Sequence, residues 1–382
     1  MGADDFGRSR PLPERRSSRS VLIVSLIVLA ALITVDELTP PDIRIGGLMV
    51  AVPALSAAFL GPWAVLLVAG LTLPAVVAAS AANHQLDQAN FPVMLTTVVL
   101  ISAGAVAASA ARQRREEDLT QARWVAEMTQ RALLRPLPRE IGSLRISSLY
   151  LAADREAAIG GDLYAASVTD HKLQILVGDV QGKGMSAIEV VGYVINAFRR
   201  ASRKCVPLEK LPGYLDHSLQ EDLTAAAESE TFSATSARPT RQWQMEGFVT
   251  AVMAEIAEEP DGTSLRLANC GHPPPLLIHD GGTHPLKPAV DALPIGLGGL
   301  GGAPHDVADF DFVRGDTLLL YTDGVIEARD PHGAFYPLAE RLGAWTSYSP
   351  DALLDAIRGD VLEFTGGGLG DDAAMVVIHR AA

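Results

Sequence analysis

The sequence predicts an α+β protein whose antiparallel sheets carry helices on their outer faces, set behind a block of membrane helices. Three observations predict it. Long apolar segments fill the first third of the chain. Beyond residue 140, groups of short apolar strands interleave with pairs of helices, where a doubly wound sheet would alternate strand and helix. Acids also stand at the ends of apolar runs, each beside a glycine. They are Asp162 in IGGDLY, Asp179 in LVGDVQGKG, Asp323 in LLLYTDGVIEARD and the pair Asp371-Asp372 in GGLGDDAAMVV. An acid at the end of a buried strand is costly unless something pairs with it. Four such places in one domain suggest a carboxylate cluster assembled by the fold, and clusters of that kind hold hard divalent cations.

The 382 residues suggest two or three domains. Hydrophobic residues make up 48% and the mean hydropathy is +0.20, high for a wholly soluble chain. Four apolar segments account for the excess: Val21–Val35, Ile45–Leu60, Trp63–Ala82 and Phe91–Ala110. The last two are long enough to cross a bilayer, and the first two fall slightly short of the roughly 17–25 residues usually needed. Arg8, Arg10, Arg15, Arg16 and Arg19 precede the first segment, and Arg112, Arg114 and Arg115 follow the fourth. The loop Asp36–Arg44 is net acidic, and Asn83–Asn90 holds no Lys or Arg. The positive-inside rule then places both ends of a four-helix region, 21–110, in the cytoplasm, behind a tail 1–20. The spans carry almost no ionisable side chains, which disfavours a transporter or proton relay. A net charge of −14 argues against a nucleic-acid partner. Cys205 and Cys270 cannot make a disulfide framework and read as buried small residues in a reducing compartment.

A linker, 111–138, follows. Ala111–Leu134 is rich in helix formers and holds no Gly or Pro. Leu119, Ala122, Ala126, Thr129 and Leu133 recur at near-heptad spacing, which permits either a parallel homodimeric coil or a single helix lying on the next domain. Arg135-Pro136-Leu137-Pro138 should end it. In the domain 139–382, strands are expected at Arg145–Ala152, Gly161–Val168, Lys172–Gly178, Phe248–Ile256, Ser264–Cys270, Pro275–His279, Asp309–Val313, Thr317–Thr322 and Ala374–His379. Helices are expected at Lys183–Ser202, with Met185, Ile188, Val191 and Ile195 on one face, and at Leu208–Ala227, Leu338–Trp345 and Ala352–Phe364. Glu228–Gln244 is polar and Ser/Thr-rich, the composition of a substrate-selecting flap. Pro285–Ala303, rich in Gly and Pro, should be irregular.

Asp179-Val180-Gln181-Gly182-Lys183-Gly184 lacks the spacing of a P-loop. Gly160-Gly161-Asp162 shares three residues with the diguanylate cyclase signature, but Leu163-Tyr164 departs from it. Taken in order, LLRPLP, IGGDLY, GDVQGKGMSA, GFVTAVMAEI, LANCGHPPPLLI, LPIGLG, GDTLLLYTDGVIEARD and GDDAAMVVIHR resemble the metal-dependent type 2C serine/threonine protein phosphatases. The similarity is to the bacterial branch of sporulation stage II protein E and the Rsb regulators of stress sigma factors. It covers about residues 130–380.

That resemblance implies an α-β-β-α sandwich and two Mn²⁺ or Mg²⁺ ions that activate a water for in-line attack on phosphorus. Carried over by motif, Asp179 would bridge both ions, with the Val180 carbonyl as a further ligand. Asp162 would act directly or through a bound water. Asp323 and Asp371 would hold the other side, with Asp372 an alternative to its neighbour. The substrate would be phosphoserine or phosphothreonine on a regulatory protein such as an anti-sigma-factor antagonist. Ala165 and Ala373-Ala374 depart from residues common in the family without removing a proposed ligand. Lys183 reads as a solvated loop lysine, and His272 and Glu327 as structural. The rival readings are a phosphatase-like receptor that binds its regulator without hydrolysis and a nucleotide cyclase, the latter disfavoured by the later motifs.

Overall fold

The computed structural model describes residues 14–39, 46–82, 90–153, 160–169, 172–232, 247–259, 262–290, 292–298 and 306–381. Arg8 and Arg10, both loops between apolar segments in large part, and residues 233–244 of the expected flap lie outside them. The chain forms two compact units, Met1–Ala122 and Arg123–Ala382.

The first unit is helical: α1 (Glu14–Leu38), α2 (Ala51–Ser56), α3 (Pro62–Ala82) and the start of α4 (Phe91–Leu133). Among the described residues three stretches are long and apolar enough to cross a membrane: Arg19–Leu38, Pro62–Ala82 and Phe91–Gln121. The second expected span differs. It forms a 3-10 turn, Gly46–Val50, and the short α2. The apolar helix Gly47–Ser56 reaches about 15 Å at 1.5 Å per residue, half of a hydrocarbon core of about 30 Å. Two glycines open it, and it ends at Ser56, ahead of the turn that leads to Gly61 and to Pro62 at the start of α3. This short limb is firmly attached within its unit. Ser56 Oγ donates to Ser25 Oγ of α1 at 2.9 Å. The Arg112 guanidinium donates to the carbonyls of Ala57 (2.7 Å) and Leu60 (2.9 Å). Leu29, Met49, Val52, Leu60, Val65, Val68 and Val98 share the unit's core.

The second unit is built on two antiparallel sheets. In chain order the strands are β1 (Glu140–Ile141), β2 (Leu144–Leu151), β3 (Leu163–Thr169), β4 (Lys172–Val180), β5 (Val249–Glu259), β6 (Gly262–Cys270), β7 (Leu276–His279), β8 (Gly282–Pro285), β9 (Val307–Asp311), β10 (Thr317–Tyr321) and β11 (Ala373–Arg380). One sheet runs β1-β2-β11-β10-β7-β8 and the other β3-β4-β5-β6-β9. The helices are α5 (Met185–Arg203), α6 (Leu211–Phe232), the single turns α7 (Asp323–Ile326) and α8 (Leu338–Arg341), and α9 (Pro350–Phe364).

Period-two alternation explains the layering. In β10, Leu318 and Leu320 join the core between the sheets, while Leu319 and Tyr321 face the opposite way, into a second core with Leu353, Leu354, Ile357 and Val361 of α9. In β11, Ala374, Val376 and Ile378 take the inner side and Ala373, Met375 and Val377 the outer. Both faces being buried, these strands read as unbroken apolar runs. The other sheet is covered by α5 and α6 through residues such as Val191, Ile195, Phe198, Leu215 and Leu219. The result is the α-β-β-α sandwich.

Several expectations need correction. Met185 is exposed, because it opens α5 before the helix reaches the core. Cys205 is exposed too, at φ 50° just past the C-terminus of α5, while Cys270 is buried. α6 continues to Phe232, into the stretch expected as a flap. The edge strands β1 and β8 are too short and polar to show a periodic pattern. Helix α4 ends at Leu133, two residues before Arg135-Pro136 as expected. Leu133 and Leu134, however, pack on the core of the second unit, so Leu133 is not free for a partner helix, whereas Leu119 is exposed.

Candidate metal centre

The acids converge at one end of the sandwich. Asp162 immediately precedes β3, Asp179 is the penultimate residue of β4, and Asp323 opens α7 just after β10. One carboxylate oxygen from each lies within 4.8 Å of the others. Close approach of the backbones makes this possible. A Cβ on Gly161 would stand 2.3 Å from the Val180 carbonyl oxygen and 2.9 Å from Asp179 Oδ1. A Cβ on Gly324 would stand 1.8 Å from the Asp372 carbonyl oxygen. Neither position tolerates a side chain without moving backbone, so both glycines are steric requirements of the site.

Crowded like charges leave these acids short of compensation. Burial first, and then the charge of Asp179, raise Asp162 well above the ordinary carboxylate range. Burial, then Asp323 and Asp371, raise Asp179. Burial, then Glu327 and Asp371, raise Asp323. Among the described residues no lysine or arginine forms an ion pair with any of the three. An all-oxygen donor set with unbalanced negative charge fits a hard divalent cation.

The neighbours Asp371 and Asp372 have different roles. Asp372 is buried, and both its oxygens are engaged. Oδ1 accepts from Ala153 N (2.6 Å), and Oδ2 accepts from Gly160 N (2.8 Å) and the Tyr150 hydroxyl. Asp371 is half-exposed; its Oδ1 accepts from Asp372 N at 2.9 Å, and its Oδ2 pairs with Lys183 Nζ at 2.8 Å. The Lys183 ammonium is thus paired at the site and is not a free loop cation.

Three polar residues that motif reading did not single out complete the site. The Thr322 hydroxyl donates to Asp162 Oδ2 at 2.6 Å and accepts from Ala374 N at 2.8 Å, tying the loop before β3 to β11. A hydroxyl thus reaches the buried Ala373-Ala374 backbone from the facing strand. Gln130, near the end of α4, is buried. Its amide donates to the Tyr150 hydroxyl (2.6 Å) and the Gly160 carbonyl (3.3 Å). Tyr150 is the third, joining Gln130 to Asp372. An adjoining DG motif flags Thr322 in the sequence; Gln130 and Tyr150 carry no local signal, since their partners lie 20 or more residues away.

His272 is a brace. Buried, it donates from Nε2 to the Tyr321 carbonyl and accepts at Nδ1 from the Thr250 hydroxyl, both at 3.0 Å. Its backbone is fixed by Asn269 through two further bonds. Thr250 pairs in register with Asp179 on one sheet, and Tyr321 stands two residues before Asp323 on the other. His272 therefore stitches the sheets together behind the acids and has no ring nitrogen left for proton transfer to a substrate. Glu327 acts through its backbone, whose N–H closes α7 on the Asp323 carbonyl at 2.7 Å, while its side chain is exposed.

The profile of the family described as Stage II sporulation protein E (SpoIIE) matches residues 169–381, more than half of the chain. The chain belongs to the SpoIIE family. Among solved structures it is similar to the SiaA PP2C domain of Pseudomonas aeruginosa, at TM-score 0.53 and 19% identity, over 72% of this chain and 100% of that one. It is also similar to the RsbU and RsbW domains of Rv1364c from Mycobacterium tuberculosis, at TM-score 0.50 and 24% identity, over 63% of this chain and 60% of that one. Protein IcfG of Synechocystis sp. is 24% identical over 265 residues, 64% of this chain and 39% of that protein. The chain thus spans about two-fifths of the length of this curated relative. Its second unit has the fold of the SiaA PP2C domain.

Burial pushes the His272 imidazole down to about 4 from an ordinary value of 6.5. Above about pH 6.5 the ring is neutral whether the chain is folded or unfolded. Between 6.5 and about 4 the unfolded chain takes up a proton that the folded site refuses, so the contribution of His272 to stability falls as pH falls. The raised acids Asp162, Asp179 and Asp323 act in the opposite direction in the same window, so the contribution of His272 is read as a difference: the denaturation midpoint of the wild type minus that of His272→Gln should shrink as pH falls from 6.5 towards 4. A difference that does not change with pH would remove His272 as a source of pH-dependent stability.

Proposed function

We propose that this SpoIIE-family chain is a membrane-anchored, metal-dependent protein serine/threonine phosphatase. The convergence of Asp162, Asp179 and Asp323 within 4.8 Å, with no lysine or arginine among the described residues paired to them, carries the reading. Divalent ions held there, two Mn²⁺ or Mg²⁺, would supply the Lewis acidity that makes water nucleophilic at neutral pH and stabilises phosphoryl charge. Asp162, Asp179 and Asp323 would hold them from three separate strand ends. The Thr322 hydroxyl fixes one oxygen of Asp162 and leaves the other for a cation. The Val180 carbonyl, beside Gly161 and Asp179, is in reach as a further oxygen ligand. Asp371 completes the set, while Asp372, its oxygens already engaged, supports the Gly160 loop. The intact acid set favours an enzyme over a receptor that merely binds its regulator.

Phosphate release by the purified chain should depend on Mn²⁺ or Mg²⁺ and stop with chelator. Asp179→Asn and Asp323→Asn should each lower turnover by at least about 10²-fold, several kcal/mol of lost transition-state stabilisation, with the circular dichroism spectrum unchanged. Near-normal turnover in either variant would remove the proposed centre.

The substrate we propose is phosphoserine or phosphothreonine on a small regulatory protein, of the kind that antagonises an anti-sigma factor. The Mycobacterium tuberculosis chain, which has an RsbW domain beside its RsbU domain, supports a partner of that regulatory type.

The arginines flanking the apolar block support cytoplasmic placement of both ends. The short limb is consistent with that. Its end bonds Ser25 near the start of the apolar part of α1 and Arg112 just past the apolar part of α4, so it returns the chain towards the arginine-rich level. Reporter fusions at Met1 and Ala382 should both report cytoplasm, and a periplasmic signal from the second would overturn the topology.

Linker pairing between two chains is the remaining part of the proposal. Exposed Leu119 supports it, and Leu133, already packed on the domain, does not. Leu119→Glu should lower the dimer fraction in sedimentation of the detergent-solubilised chain; an unchanged fraction would leave the linker a tether.

A further inference from the structure

Among the described residues, Asp371 is the carboxylate at the site that is paired with a cation of the chain's own. Its Oδ1 is occupied by Asp372 N, so Oδ2 is its remaining outward oxygen, and Lys183 Nζ holds that atom at 2.8 Å. Both side chains are close to half-exposed, at 42% and 48%. An ion pair this accessible is weak and readily broken.

The backbone around Lys183 suits a side chain that leaves. Gly182 at φ 110° and Gly184 at φ 90° flank it in a region that favours glycine. Neither has a heavy atom within 4 Å of a Cβ built on it, so the loop between β4 and α5 is sterically open. A lysine is a compact charge on a flexible stem, able to occupy a position and vacate it. Tethered only four residues from Asp179, it also acts at a high effective concentration.

We propose that Lys183 is a built-in competitor for the metal position at Asp371: its ammonium occupies Oδ2 until a divalent cation displaces it. The inference rests on the metal-dependent reading above and deepens it. Asp162, Asp179 and Asp323 bind their cation without opposition, whereas binding at Asp371 requires an ion pair to break first. The site therefore fills in two steps, and Lys183 weakens the second. The displaced ammonium stays within a side-chain length of the metals, positively charged and facing solvent.

The test is a Mn²⁺ titration of the full-length chain in detergent, followed by the electron paramagnetic resonance signal of free Mn²⁺, with no turnover involved. Lys183→Met should tighten the weaker class of bound Mn²⁺ by roughly two- to fivefold, the range expected for removing an accessible ion pair. Lys183→Arg should stay near the wild type. In an Asp371→Asn background, Lys183→Met should have no effect, which separates competition at this carboxylate from a general change of charge. Unchanged or weaker Mn²⁺ binding in Lys183→Met, or the same tightening in the Asp371→Asn background, would overturn the proposal while leaving the metal centre in place. If the wild type bound no Mn²⁺ at all, the metal centre itself would fall, and the competition with it.

Discussion

The second unit depends on one electrostatic constraint: carboxylates from different strand ends are held close together in a partly buried place. Left alone, such charges repel and favour protonation or separation. What opposes this is a scaffold of directed hydrogen bonds. Thr322 holds Asp162, Tyr150 and two backbone N–H groups hold Asp372, and His272 fastens the two sheets behind them. Each brace joins segments distant in sequence. The site is thus a product of the whole sandwich, and its geometry is only as firm as the register between β4, β10 and β11.

The sandwich was legible because its chemistry is periodic. β10 and β11 are apolar on both faces, α5 repeats every three to four residues, and Asp162, Asp179 and Asp323 each adjoin a glycine whose surroundings leave no room for a side chain. Less periodic parts were not legible. A strand of two residues such as β1 carries no pattern, and the second apolar segment has the composition of a span without the uninterrupted helical length. Cys205 looked like a core residue by type, but its position just past a helix end puts it in solvent.

The site shows the same division. Asp162, Asp179 and Asp323 announced themselves by motif, and the structure brings them together. The difference between Asp371 and Asp372 could not be read from adjacent identical residues. It is decided by Tyr150, Ala153 and Gly160, which claim one carboxylate and leave the other to Lys183. Gln130 was hidden for another reason. On a linker rich in polar residues, one more glutamine is unremarkable until the fold buries it against Tyr150 and the loop that carries Asp162.

Arg112 shows how a residue's charge and its shape can carry separate information. Charge counting treats it as one positive unit at the edge of an apolar segment. In the fold it is a planar fork that satisfies the carbonyls of Ala57 and Leu60, groups left without helical partners where the short limb ends. A lysine there would keep the tally and lose the second directed bond. Architecture therefore restricts this position in a way that it does not restrict Arg114 and Arg115, both exposed.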